Sequence, residues 1–301
     1  MFLTLGESVF DIIFSDMEPV AARFGGSMFN VAVSLGRAKC EVQFAGVYAN
    51  DRIGKQTRAF LQENGVDATC FSPINGVRSN LALAFLDDRG VPDYSFYRHN
   101  QPISESTPID FSRISKFIIG SFYVIDRQNV DCVNALVEHA KNAGAEVFYD
   151  PNIRNKRVFS DSALREHVVN FMRAATVTKM SDEDLTAITG FAKLTDWQTF
   201  LEQNGVANYI ITRGSNTVLA HFSGKEKHFQ VPELSSVVST VGAGDAFMAG
   251  LLFALRDNPV TEKAFFDAVP TGIRFGSYVC TTNDNYISNQ FMESRAWENN
   301  S

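Results

Sequence analysis

The chain predicts an α/β fold: a mostly parallel sheet flanked by helices, with a small accessory β-sheet as a lid. Three observations lead there. Short apolar runs bounded by turns alternate with helical patterns along most of the 301 residues, the signature of a parallel sheet covered on both faces. A glycine-rich turn near the C-terminus opens an apolar run that reads as a helix. Two segments break the alternation and read as additional strands.

In chain order, residues 2–5, 42–45, 117–119, 146–149, 176–178 and 209–212 are the expected buried strands. Between them Met28, Val31, Ala32 and Leu35 fall at i, i+3, i+4 and i+7, one face of a helix. Val133, Leu136 and Val137 begin a similar pattern ahead of a stop at Gly144. Ser181-Asp182-Glu183-Asp184 offers a cap and first-turn acids to a further helix, which Gly190 closes. Segments 8–24 and 68–100, the second with alternating Leu81, Leu83, Phe85 and then Tyr94, Phe96, are expected to form the lid. No repeat, low-complexity tract or linker divides the chain, so residues 1–301 are expected to form a single domain.

Composition excludes several partners. With 45% hydrophobic and 20% charged residues the chain is ordinary globular material. A net charge of −7 supplies no basic field to gather nucleic acid or an anionic membrane. Bound phosphate must then be held by local geometry. The four cysteines, at 40, 70, 132 and 280, are scattered and form no Cys-x-x-Cys pair, which fits buried thiols in a reducing compartment. The N-terminus has no basic region before its apolar residues, and apolar stretches such as 117–125 fall short of a membrane span. A cytoplasmic location is expected.

The stretch Ser239-Thr240-Val241-Gly242-Ala243-Gly244-Asp245-Ala246-Phe247 carries the chemistry. Its glycines let successive N–H groups point one way, and the helix behind them turns its positive end to the same spot, making an anion seat. Asp245, in the first helical turn, can reach a hydroxyl approaching that anion. A phosphate beside a base points to phosphoryl transfer. No Gly-Lys-Ser/Thr follows, and the motif lies far from the first strand, so it is neither a Walker loop nor the dinucleotide fingerprint. Taken alone, a Gly-x-Gly before a helix is also an ordinary strand-to-helix turn. Gly25-Gly26-Ser27-Met28-Phe29-Asn30 is a second glycine-rich turn, with an amide one turn inside its helix that is either surface or functional. Asp11, in an otherwise apolar run, is either a solvent-facing strand residue or an acceptor for a ligand hydroxyl.

Together these pieces resemble the ribokinase-like, phosphofructokinase-B family of sugar kinases. The match runs in order over nearly the whole chain: Gly6-Glu7, Asp11, Gly25-Gly26, Asn30, Gly65-Val66-Asp67 and Gly242-Ala243-Gly244-Asp245. The resemblance implies a doubly wound α/β fold with a β-sheet lid, and transfer of the ATP γ-phosphoryl group to a sugar hydroxyl. Asp245 would be the base, Gly242, Ala243 and Gly244 the anion hole, and Asp11, Gly25, Gly26 and Asn30 sugar contacts. Tyr94-Ser95-Phe96-Tyr97-Arg98, Asp150-Pro151-Asn152-Ile153-Arg154 and Lys179-Met180-Ser181-Asp182-Glu183 look like motifs of bacterial fructokinases and ketodeoxygluconate kinases. They imply sugar contacts from Phe96, Arg98 and Arg154. A guanidinium suits sugar oxygens and an acid group alike, and both arginines also read as surface residues resting on their stems.

The same resemblance implies nucleotide contacts from Ser181, Thr212, Gly214, Gly242 and Gly244, and magnesium that arrives with ATP and is reached by Asp184 through water. A fructokinase-like activity is expected. Ketodeoxygluconate kinase, another sugar or nucleoside kinase, and a catalytically silent sugar-binding regulatory relative are the alternatives. Partners are expected to be the sugar and ATP, with no nucleic acid and no membrane, and a homodimer could form through the lid. Two departures touch the family's monovalent-cation loop: Ser239 replaces an acid that helps bind potassium, and Asn283-Asp284-Asn285 replaces a Gly-Ala. Potassium is therefore expected to bind weakly or not at all.

Overall fold

Apolar side chains on alternate faces of short strands require cover on both sides, and the strands lie accordingly in one sheet between two helical layers. The computed structural model describes residues 1–86, 92–99, 101–103, 107–153 and 157–298. Its strands are β1 (Phe2–Leu5), β2 (Val9–Ser15), β3 (Glu18–Gly25), β4 (Val42–Ala49), β5 (Val66–Asp67), β6 (Phe71–Ile74) and β7 (Leu81–Leu86). They continue as β8 (Pro92–Tyr97), β9 (Lys116–Gly120), β10 (Glu146–Asp150), β11 (Val177–Ser181), β12 (Asn208–Thr212), β13 (Thr217–Phe222) and β14 (Lys225–Gln230). The main sheet runs β14-β13-β12-β11-β10-β9-β1-β4-β5, with β6 paired to β4. From β12 to β5 neighbours are parallel, and β13 and β14 add an antiparallel edge.

Phe2, Ile118, Phe148 and Val177 enter the core on one face, while Leu3, Phe117, Val147 and Tyr149 enter that on the other, as a period of two dictates. Helices Ser27–Arg37, Ala243–Ala254 and Glu262–Cys280 build the first core. Val130–Asn142, Ser162–Ala174 and Asp182–Thr189 build the second. Ala243–Ala254 is buried at every position from Asp245 to Phe253, which its apolar composition permits. No helix among the described residues is long and apolar enough to cross a membrane.

A separate small sheet has the order β3-β2-β7-β8. The segment expected to enter it from residue 68 divides in two. Phe71–Ile74 pairs with β4 of the main sheet, and only from Leu81 does the chain pair with β2. The cause is aromatic packing, since the Phe71 ring lies 5.1 Å from Phe44 and 4.8 Å from Tyr48, both main-sheet residues. The hairpin β13–β14 has no counterpart among the expected strands. Its last strand, Lys-Glu-Lys-His-Phe-Gln, is a polar edge without an apolar run to announce it.

The chain winds from β1 to β4 in one direction, and the strands from β9 to β12 extend the sheet in the other. The winding reverses between β1 and β9. At such a point the carboxyl ends of the strands leave a crevice for a ligand.

Candidate active site

A cavity of about 390 Å³ opens at this crevice, within the range of small-molecule sites. Glu7 follows β1, Ser121 and Phe122 follow β9, and Asn152 follows β10; Val9, Asp11, Phe96 and Arg98 reach it from or beside the small sheet. Gly26, Ser27 and Asn30 come from the first glycine-rich turn, Val241, Gly242 and Asp245 from the second, and Asn285 from the loop after the helix Glu262–Cys280. Ser121 and Asn152 hold φ of 63° and 42°. Left-handed residues other than glycine are uncommon and collect at functional sites.

Gly242 caps the helix Ala243–Ala254 with φ 79°, and a Cβ there would run into the backbone of Asn285. Only glycine fits both conditions. Behind it the positive end of the helix faces the crevice, with the Ala243 N–H already given to Thr240 O at 3.3 Å. Asp245, 5% exposed, is oriented by three donors. Its Oδ1 accepts from Ser27 Oγ at 2.7 Å and Asn152 Nδ2 at 3.3 Å, and its Oδ2 from Asn30 Nδ2 at 2.8 Å. The Oδ1 of Asn30 is buried without a partner among the described residues. That orphan acceptor suits a ligand hydroxyl.

Beneath the anion seat lies a buried ion pair. Lys179 Nζ stands 2.8 Å from Asp150 Oδ2 and 2.8 Å from the point a Cβ of Gly244 would occupy. Burial pushes the Asp150 carboxyl up to about 7 against the pull of Lys179. Burial also opposes the Lys179 charge, but Asp150, Asp184 and Asp245 outweigh it and raise its pKa. Asp150 Oδ1 is buried and has no hydrogen-bond partner among the described residues. This hard oxygen suits a hydrated magnesium ion. Asp184 has less to offer: Oδ1 accepts from Ile153 N at 2.6 Å, and Oδ2 from Ser181 N at 2.7 Å and Ser181 Oγ at 2.8 Å, in a capping box. No cluster of three or more His, Cys, Asp or Glu residues able to hold a metal occurs among the described residues. The metal's remaining ligands would be phosphate and water.

The structure gathers Asp11, Gly26, Asn30, Phe96, Arg98, Gly242 and Asp245 around one cavity. Gly25 adjoins it, since a Cβ there would stand 2.5 Å from Asp11 Oδ2. Arg98 lies over the Phe96 ring at 4.9 Å and pairs with Glu7 at 3.1 Å. Arg154 lies outside the described residues. Ser181 and Thr212 are register partners at the carboxyl ends of β11 and β12, away from the cavity walls, and Gly214 follows at φ 56°. Sequence reasoning assigned no role to Ser27, Asn152, Lys179, Asp150 or Glu7. A lysine inside an apolar strand, such as Lys179, was the available signal, because a charge is rarely buried unless paired.

An anion seat facing a fixed carboxylate suits the transfer of a phosphoryl group to a hydroxyl. Comparison with known proteins agrees. A family model described as pfkB family carbohydrate kinase matches residues 15–290. Aminoimidazole riboside kinase of Salmonella typhimurium is 27% identical over 281 residues, covering 92% of this chain and 88% of that protein. Probable fructokinase-4 of Arabidopsis thaliana is 30% identical over 243 residues, covering 78% and 73%. A crystal structure of fructokinase from Vibrio cholerae O395, bound to fructose, ADP and calcium ion, matches with a TM-score of 0.86 at 21% identity, covering 97% of this chain and 98% of that one. The chain belongs to the pfkB family of carbohydrate kinases. It is an ATP-dependent, fructokinase-like sugar kinase, a phosphotransferase with an alcohol acceptor on a ribokinase-like fold.

Proposed function

We propose that the enzyme phosphorylates a neutral sugar of the fructose type. The observation that carries this reading is the Glu7–Arg98 pair, 3.1 Å apart, with Glu7 only 8% exposed. An acid sugar such as ketodeoxygluconate would find this guanidinium already neutralised, in a cavity that also holds Asp11 and Asp245. A neutral sugar loses nothing by that arrangement and gains acceptors for its hydroxyl protons.

In this reading Asp245 accepts the proton of the attacking hydroxyl while the N–H groups of Gly242 and Gly244 stabilise charge on the transferring phosphoryl group, the Ala243 N–H being given to Thr240 O. Asp11, Gly25, Gly26, Asn30, Phe96 and Arg98 form the sugar side. Ser181, Thr212 and Gly214 form the nucleotide side. Lys179 adds positive charge under the anion seat, and Asp150 orients it. Magnesium held by Asp150 Oδ1, and by Asp184 through water, would supply neutralisation of the phosphate charge.

The small sheet acts as the lid of a single domain spanning 1–301. Met17 and Val20, at and just after its first hairpin turn, are 73% and 59% exposed and suit contact with a second copy. The four cysteines are free, which fits a cytoplasmic enzyme.

A coupled ADP-release assay across fructose, ribose, aminoimidazole riboside and ketodeoxygluconate tests the substrate class. A kcat/KM for one of the neutral acceptors about tenfold or more above that for ketodeoxygluconate is expected. A preference for the acid would overturn the reading.

A further inference from the structure

Asn285 stands where the chain departs from the family's glycine-alanine pair, and it lines the sugar cavity beside Asp11 and Gly26. The residue is 6% exposed. Its Nδ2 lies 3.6 Å from the point a Cβ of Gly25 would occupy, a point that Asp11 Oδ2 approaches to 2.5 Å from its own side. Among the described residues the Asn285 amide makes no hydrogen bond to protein. An amide that faces a cavity without a protein partner among the described residues suits a ligand that pairs with it. The loop that carries it is anchored. Cys280 O accepts from Val238 N at 2.8 Å, and Asp284 meets Arg23 of the small sheet at 3.7 Å.

We propose that Asn285 is a specificity residue for the sugar, its amide donating to an acceptor hydroxyl whose own proton is directed to Asp11. A hydroxyl has one donor and two acceptor sites, so it can serve an amide N–H and a carboxylate together. A group lacking that oxygen leaves the amide unpaired and is rejected. The inference rests on the reading of this cavity as a neutral-sugar site. It adds a donor that the family's glycine-alanine pair has no side chain to provide. The carbonyl of the same residue packs against Gly242, so the sugar contact is fixed relative to the anion seat.

The test uses the full chain with ATP and the neutral sugar it turns over best, together with the monodeoxy analogues of that sugar. Asn285→Ala and the isosteric Asn285→Asp should each raise the sugar KM about fivefold or more, while the ATP KM stays within about twofold. One deoxy analogue that the wild type disfavours should be used by Asn285→Ala nearly as well as the parent sugar. A sugar KM raised less than fivefold in both variants, or equal losses for sugar and ATP, would overturn the inference. If Asn285→Ala does not fold, Asn285→Asp keeps the side-chain volume and gives the same KM readout. A wild type inactive on every neutral sugar refutes the substrate reading itself, whereas an active wild type with unmoved variants refutes only the role of Asn285.

Discussion

Three donors from two separate parts of the chain converge on the Asp245 carboxylate, so its position is set before a substrate arrives. Asn in its place keeps the shape and loses the proton acceptor. Asp245→Asn should lower kcat by about 10²–10⁴ while sugar and ATP still bind. A variant that kept a tenth of wild-type kcat would remove Asp245 from the role of base. At Glu7 the residue scale reaches into stability. Burial raises its carboxyl above the ordinary range, and Arg98 pulls it partly back. A group whose folded pKa exceeds its unfolded one holds its proton more tightly when folded. Its stabilising contribution is complete below the unfolded pKa and is lost as pH rises through the folded one. Gln carries no such charge. The Tm of Glu7→Gln should therefore climb relative to wild type as pH rises above the ordinary glutamate value of about 4. A constant difference above that pH, measured by thermal unfolding, would show that Glu7 does not titrate there.

At the scale of elements, the turn from Ser239 to Gly242 is held by its own hydrogen bonds. Ser239 Oγ accepts from Val241 N at 3.2 Å, and Thr240 O accepts from Ala243 N at 3.3 Å, so the turn is tied to itself. A carboxylate would be the strongest ligand for a monovalent ion, and a hydroxyl is a weak substitute. Initial rates without sodium or potassium should match those at physiological potassium within about twofold, a difference near RT ln 2. A tenfold stimulation by potassium, absent with choline, would show that other oxygens complete the site. The parts legible in the sequence were local ones. Both glycine turns, Asp245 and the capping box at Ser181 are encoded within a helical turn or so of residues. Asp150 and Lys179 meet because β10 and β11 are neighbours, which no local pattern states. Asn285 was legible as a departure from a motif, but its place in the sugar cavity depends on the packing of its loop against Gly242. The edge strand β14 and the pairing of Phe71–Ile74 escaped for a related reason, since a short polar or apolar run does not name its neighbour.

Considered whole, the molecule makes its cavity from two sheets. Glu7, Ser121 and Asn152 follow strands of the main sheet, while Asp11 and Phe96 belong to the small one. Among the described residues two ion pairs tie the small sheet to the rest of the molecule, Arg98–Glu7 at 3.1 Å to the end of β1 and Arg23–Asp284 at 3.7 Å to the loop after the helix Glu262–Cys280. Both involve an arginine at least one-fifth exposed in its side chain, so each is weak enough to break and re-form. In the proposed reading, a sugar that touches Asp11 on the small sheet and Asp245 on the helix Ala243–Ala254 would bind best when the small sheet approaches that helix, which would bias the molecule toward closure. Closure also expels water, and water is the competing acceptor for the γ-phosphoryl group. Sugar should therefore slow amide hydrogen exchange in β2, β3, β7 and β8 more than in β9 to β12, whose hydrogen bonds are already enclosed. Arg98→Ala, which removes one crossing pair, should raise ATP hydrolysis relative to sugar phosphorylation. Exchange in the small sheet that is indifferent to sugar, together with an unchanged ratio of hydrolysis to transfer, would mean that this sheet is a fixed wall and that water is excluded by the main sheet alone.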